Sequence, residues 1–136
     1  MSNIPKEIIV ETSGGLTFGD YTAKEKIKIN DFEYMGNIYS LRSHDLVTRL
    51  EKNSEMLVET VPGATIYNFV SNEVGCSFDI AASANVQVTL GLAPEATYHL
   101  RVTGEVSEEI VSNRSGKLSF GAELSPEPKK VILEKL

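Results

Sequence analysis

Apolar residues recur at every second position through much of this chain. The pattern is clearest in the stretches 86–92 and 118–124, which alternate without a break, and a shorter stretch, 98–102, does the same between them. A period of two places successive side chains on opposite faces, so each stretch predicts a β-strand with one buried face. The expected buried positions are Val86, Val88, Leu90, Leu92, Tyr98, Leu100, Val102, Leu118, Phe120, Ala122 and Leu124.

Short strands are predicted along the rest of the chain as well. Residues 64–70 carry apolar side chains on both parities, which favours a central strand, whereas residues 16–21 are expected to be irregular. Turn residues such as Pro62 separate the runs, and Gly116 suits a backbone position with positive φ. A helical turn is the alternative at 47–50. The strands are predicted at 6–11, 24–32, 38–42, 46–51, 55–61, 64–70, 74–80, 96–106 and 129–136.

About nine to eleven short strands, with turn signals every eight to twelve residues, are typical of an antiparallel β-sandwich. The pattern predicts no helix of normal length. A length of 136 residues fits one domain over 1–136. We therefore predict an all-β fold with two antiparallel sheets.

The charge balance of the chain limits the classes of partner that we expect it to bind. Thirteen basic and nineteen acidic residues give a net charge of −6. Nucleic acid is not expected as a partner, because phosphate backbones are bound by clustered Lys and Arg. A membrane partner is not expected either, since no apolar run is long enough to cross a bilayer. Residues 1–10 lack the apolar core of a secretory signal, so we expect a cytoplasmic protein, or an extracellular one if a leader was removed.

Candidate catalytic and metal-binding residues are few. Ser43, His44 and Asp45 are the residue types of a hydrolase triad, but neighbours on a strand point to opposite faces, and a polar turn is the favoured interpretation. His44 and His99 lack the spacing of a metal site. Cys76 has no base nearby in the sequence and is expected to be a small buried residue. We expect no catalytic residue, no metal and no cofactor.

A binding patch is a further candidate in the first half of the chain. Arg42 and Arg49 lie on neighbouring predicted strands with Asp45 and Glu59, and these charges form either ordinary cross-strand ion pairs or a ligand patch. The same half is rich in tyrosine, which packs in the core or, when exposed, stacks against sugars. The candidate patch consists of Tyr39, Arg42, His44, Arg49 and Tyr67.

Both ends of the chain are candidates for strand exchange. Residues 129–136 follow a spacer that contains Pro126 and Pro128, and the N-terminal segment 1–11 is equally short. Either segment can detach and pair with a free sheet edge on another copy. The alternative, which we favour, is that both segments complete their own sheets.

The segment from Leu92 to Val102 has a proline two residues after its leucine and then Tyr98 at the start of an alternating strand. It resembles the tyrosine corner of fibronectin type III and other immunoglobulin-like β-sandwiches. This resemblance implies an immunoglobulin-like fold in which Tyr98 stabilises the sheet corner and binds no ligand. Residues 113–118 are similar to a turn in accessory modules of polysaccharide-acting enzymes. The chain departs from the fibronectin pattern because it contains no tryptophan.

Two functions follow from these observations. The first is a non-catalytic module for protein interaction or self-assembly, which pairs with a protein partner or a second copy through strand edges or a sheet face. The alternative is a carbohydrate-binding accessory module. An enzyme is the third choice, and a turnover that is abolished in His44→Ala would support it.

Overall fold

A computed structural model describes residues 8–136. This part of the chain contains no helix and folds into thirteen strands, which confirms the all-β prediction. The strands are β1 (Ile9–Thr12), β2 (Gly15–Phe18), β3 (Ile27–Tyr34), β4 (Asn37–Ser43), β5 (Thr48–Lys52), β6 (Glu55–Val61), β7 (Thr65–Asn72), β8 (Gly75–Ala81), β9 (Val86–Gly91), β10 (Thr97–Val102), β11 (Glu108–Val111), β12 (Lys117–Ala122) and β13 (Lys129–Lys135).

The strands form two sheets that share one core. The seven-stranded sheet has the order β1-β2-β7-β8-β13-β10-β11, and the six-stranded sheet has the order β12-β9-β6-β5-β4-β3. Every neighbouring pair is antiparallel. Buried side chains from both sheets belong to a single hydrophobic cluster. The fold is therefore the predicted antiparallel two-sheet sandwich.

Every predicted strand overlaps an observed one, but residues 8–136 contain two strands more than the upper expectation of eleven. The additional strands are β2 and β11. β2 was expected to be irregular, yet it is buried at all four positions and so shows no alternation. β11 has one half-buried residue, Ile110, among exposed ones. The first part of the strand predicted at 6–11 lies outside the described residues.

A row of aliphatic side chains crosses the inner face of the six-stranded sheet. Its members are at most 3% exposed and lie directly opposite one another on β4, β5, β6, β9 and β12. Because side chains alternate along a strand, the next residues form an equally regular row on the outer face. The inner row consists of Leu41, Leu50, Val58, Leu90 and Leu118.

The seven-stranded sheet contributes aromatic side chains to the same core. The Phe69 ring meets Phe18 edge to face, with ring centroids 6.0 Å apart, and its centroid lies 5.6 Å from that of Phe78. The Tyr98 side chain is 2% exposed, and its hydroxyl accepts a hydrogen bond from the Ala93 N–H at 3.1 Å. These contacts join β2, β7, β8 and β10 to one interior.

A bulge changes which residues of β7 face the core. The register with β8 shifts between Tyr67 and Val70, and Asn68 has a positive φ of 53°. As a result Ile66 and Phe69 are buried, while Asn68 and Val70 are exposed. An uninterrupted period of two predicts Ile66, Asn68 and Val70 on one face. That assignment is wrong because the extra residue of a bulge reverses the alternation.

The last strand, β13, lies inside the seven-stranded sheet. It pairs with β8 along one edge and β10 along the other, and its side chains Val131 and Leu133 are 0% and 1% exposed. Strand exchange through residues 129–136 would therefore require β13 to leave a doubly paired position. At the other end, β1 does lie at an edge of the sheet, and residues 1–7 fall outside the described part.

Candidate functional site

The outer face of the six-stranded sheet carries a polar row that runs across all six strands. Lys28 is directly opposite Arg42, which is opposite Arg49, which is opposite Glu59. Three cations therefore lie side by side at the β3 end of the sheet. The complete row is Lys28, Arg42, Arg49, Glu59, Thr89 and Ser119.

The three cations differ in their partners. Arg49 pairs with Glu59 at 2.8 Å and with Glu51 at 3.1 Å. The hydrogen bond to Glu59 is the main reason that the pKa of Arg49 is raised. Within residues 8–136, no carboxylate oxygen lies within 4.0 Å of a nitrogen on the side chain of Lys28 or Arg42. Two of the three charges are therefore not compensated by a direct contact in the described part of the chain.

A shallow cavity of about 120 Å³ lies over these cations. A bulge in β3, where the register with β4 shifts between Ile29 and Phe32, borders the cavity at Asn30. Bulges commonly redirect a side chain, and this one adds an amide to the wall. The lining residues are Lys28, Asn30, Ser40, Leu41, Arg42, Arg49 and Glu51.

The structure brings together two of the five residues of the predicted patch, Arg42 and Arg49. Tyr39 is 6% exposed and packs against Tyr34 in the interior, where burial and then Tyr34 raise its pKa. Tyr67 belongs to β7 of the opposite sheet, and its pKa is raised mainly by burial. The five residues therefore do not form one surface.

The fifth residue of the patch, His44, lies in the turn that follows β4. Its Nδ1 is 3.5 Å from Asp45 Oδ1. Ser43 points into the core, 0% exposed, and its Oγ is 2.7 Å from Thr48 Oγ1. The arrangement is a polar turn above a buried hydroxyl pair, which is the interpretation that the sequence favoured.

Other reactive groups are dispersed or buried. Among residues 8–136, no three His, Cys, Asp or Glu side chains lie close enough to share a metal ion. Burial raises the pKa of the Cys76 thiol from 9.0 to about 12. His99 lies on β10, in the sheet opposite the His44 turn.

A second candidate site is the edge of β12, which among the strands of the described residues pairs only with β9. The Lys117 N–H donates to Asn113 Oδ1 and the Lys117 carbonyl accepts from the Asn113 N–H, both at 2.9 Å, so these groups point away from β9. Backbone groups alternate in direction along a strand, so the N–H and C=O of Ser119 and Gly121 point the same way. In the described part of the chain none of these four groups has a hydrogen-bond partner.

The other sheet edges are protected. β1 and β11 have four residues each, and β11 carries Glu108 and Glu109. β3 contains the bulge and Asp31 at a φ of 60°. β12, in contrast, keeps an unbroken register over six pairs, and its exposed positions include the small residues Ser119 and Gly121. Short, bulged or charged edges resist strand pairing, so β12 is the edge most open to it.

The sequence pattern missed Lys28, Asn30 and Glu51 as parts of a site. Their proximity depends on strand register and on a bulge, and neither is visible in local alternation. The alternation at 118–124 did place Ser119 and Gly121 on the exposed face, but it did not indicate that the strand lies at an edge.

The fold defines the class of this protein as an all-β two-sheet sandwich. No protein-family model matches the sequence, and comparisons with curated proteins and with solved structures find no significant match. The described residues contain no helix that could cross a membrane.

Proposed function

We propose that this protein is a non-catalytic interaction module that self-assembles by pairing the β12 strands of two copies. The observation that carries this proposal is the free edge at Ser119 and Gly121, where two N–H and two C=O groups point into solvent. An added strand satisfies such groups with main-chain hydrogen bonds, which is how strand addition gains affinity.

The unpaired backbone groups of β12 favour one register for a twofold pair. Residues whose backbone groups point away from β9 must oppose each other, so the two strands can only shift in steps of two. If Phe120 lies opposite Phe120 of the second copy, Ser119 lies opposite Gly121 of that copy and the unpaired groups bond to each other. This pairing spans residues 118–122, because Asn113 already bonds to the outward N–H and C=O of Lys117.

Proline substitutions on two edges test the proposal. Ser119→Pro removes an N–H that points away from β9 and leaves the pairing with β9 in place. Glu109→Pro is the matched control, because the Ser112 N–H bonds to the Ala96 carbonyl and alternation then directs the Glu109 N–H away from β10, at the free edge of β11 in the other sheet. We expect sedimentation velocity to show a concentration-dependent dimer for the wild type and Glu109→Pro, and a monomer for Ser119→Pro. A monomeric wild type, or a Ser119→Pro dimer, would refute self-assembly through β12.

We further assign the sandwich to the immunoglobulin-like class. The support is the corner at Tyr98, whose hydroxyl accepts the Ala93 N–H five residues upstream. In immunoglobulin-like domains a tyrosine at this corner bonds in the same way to backbone a few residues earlier. An experimental structure that gave a different strand order would overturn the assignment.

A carbohydrate-binding module is the second candidate, and the cavity over Arg42 is the observation that favours it. Its wall offers the amide of Asn30, the hydroxyl of Ser40 and the carboxylate of Glu51, which are groups that bind sugar hydroxyls. Affinity electrophoresis in gels that contain neutral or acidic polysaccharides tests this function. Retardation in at least one gel supports it, and migration unchanged in every gel rejects it.

A further inference from the structure

We infer that the outer face of the six-stranded sheet binds the carboxylate of an acidic sugar between Lys28, Arg42 and Arg49. This inference deepens the carbohydrate-binding candidate and is independent of self-assembly through β12. It rests on how the cations are placed, on the size of the cavity above them, and on the uncharged groups beside them.

The placement of the cations is unfavourable without an anion. Lys28, Arg42 and Arg49 are direct cross-strand neighbours on β3, β4 and β5, and like charges in such positions repel and destabilise the sheet. Of these three, Arg49 alone is compensated within residues 8–136, by Glu51 and Glu59. The chain as a whole has a net charge of −6, so this local excess of positive charge is not a property of the general surface. An oxyanion that bridges Lys28 and Arg42 removes the repulsion and gains charge-assisted hydrogen bonds.

The cavity is large enough for only one functional group of a ligand. Pockets that enclose a drug-sized ligand measure roughly 300–1,000 Å³, whereas this cavity measures about 120 Å³. It can hold one charged group and part of a ring. The remainder of a longer ligand would lie on the open sheet face.

The neighbouring groups distinguish among oxyanions. Asn30 and Ser40 both donate and accept hydrogen bonds, while the Glu51 carboxylate accepts them and repels a bare dianion. A ligand that suits this wall carries one negative charge next to hydroxyl groups that can donate. A uronic acid has both features, whereas sulfate has no hydroxyl and inorganic phosphate has hydroxyls only on the charged group itself. An acidic peptide has the charge on flexible side chains and likewise lacks the hydroxyls.

Calorimetric titration of the full chain tests this inference. The probes are an oligomer of galacturonic acid, the neutral galactose oligomer of the same length, inorganic phosphate and polyglutamate. We expect the galacturonic acid oligomer to bind at least about tenfold more tightly than each of the other three, because charge-assisted bonds and hydroxyl contacts are both available to it alone. We also expect its affinity to fall with added salt.

Arg42→Gln is the decisive variant, since it removes the charge and keeps a polar amide on a shorter side chain. We expect about a tenfold or greater loss of affinity for the acidic oligomer, while the unfolding midpoint stays at or above that of the wild type because a like charge has been removed. Lys28→Gln serves as a second variant with the same expectation. The matched control is Arg101→Gln on the opposite sheet, where Arg101 pairs with Glu134. The affinity of this variant for the acidic oligomer should equal that of the wild type.

Three results would overturn the inference. The first is equal binding of the neutral and acidic oligomers, which would leave carbohydrate binding intact and reject the anion site. The second is unchanged affinity in Arg42→Gln. The third is equal or tighter binding of polyglutamate or phosphate, which would mean that the face recognises negative charge without a sugar.

Discussion

At the residue scale, two buried threonines that face each other across β5 and β6 differ in their hydrogen bonding. Thr48 Oγ1 lies 2.7 Å from Ser43 Oγ and bonds to the carbonyl and N–H of Ala64 at 2.8 and 3.2 Å. Thr60 Oγ1 is buried, with no partner among residues 8–136. A buried hydroxyl with partners stabilises the fold, whereas one without partners costs free energy.

Replacing each threonine by the similarly shaped valine should therefore change stability in opposite directions. Thr60→Val removes an unsatisfied group, and we expect the free energy of unfolding to rise by about 1 kcal/mol. Thr48→Val removes the side-chain partner of the Ala64 N–H and C=O, while Ser43 Oγ keeps its bond from the Asp20 N–H at 2.9 Å, and we expect a loss of about 1–3 kcal/mol. Urea unfolding of both variants measures the two changes. Losses of similar size in both would show that burial of the hydroxyl, and not its bonding, decides the outcome.

The buried thiol of Cys76 makes stability depend on alkaline pH. Its pKa is 9.0 when unperturbed and about 12 in the folded chain. A raised pKa in the folded state contributes stability that is complete below pH 9 and is lost as the pH rises from 9 towards 12. We expect the difference in unfolding free energy between the wild type and Cys76→Ala to narrow as the pH is raised from 8 to 10.5. Urea titrations at several pH values measure it, and a constant difference would contradict the assigned burial.

At the scale of single elements, β12 is the strand whose sequence matters most for the proposed assembly. The proposed register pairs Ser119 of each copy with Gly121 of the other. We expect Gly121→Pro to weaken the dimer about as strongly as Ser119→Pro, since it removes the other N–H that points away from β9. Sedimentation equilibrium measures both dissociation constants. A Gly121→Pro chain that dimerises like the wild type would exclude this register.

Elements were largely predictable from the sequence because burial on one face leaves a period of two. The rows that contain Leu90 and Leu118 emerged in this way, and Gly116 has the expected positive φ, 85°, at a place where a Cβ would collide with the Leu92 carbonyl oxygen. The bulge at Asn68 was not predictable, and neither was β2, which is buried on both faces. Each interrupts the alternation of apolar and polar residues locally. The charged row on the outer face depends on the register between strands, so only its Arg42, Arg49 and Glu59 were found.

At the scale of the whole molecule, the order of strands determines which segments can be deleted without unfolding the protein. The chain order suggests that the last strand is an appendage, yet β13 joins β8 to β10 and so connects the two halves of the seven-stranded sheet. Burial of Val131 and Leu133 alone contributes about 3–6 kcal/mol, and the backbone hydrogen bonds along both edges add to this. Domains of this size are stable by only about 5–15 kcal/mol in total.

A chain that ends at Glu127 should therefore not fold. We expect it to show no cooperative unfolding transition in urea and no dispersed amide signals in a proton–nitrogen NMR spectrum. Leu136→Ala is the control, since that side chain is 66% exposed and its removal should leave the transition unchanged. If the truncated chain unfolded cooperatively at the wild-type midpoint, β13 would be dispensable, and exchange of this strand between copies would become the better explanation of any dimer. Because β12 and β13 belong to different sheets, truncation and Ser119→Pro separate the two routes to assembly. The first removes the fold, whereas the second removes the contact between copies and, within one copy, the exposed bond between Ser119 Oγ and Thr89 Oγ1.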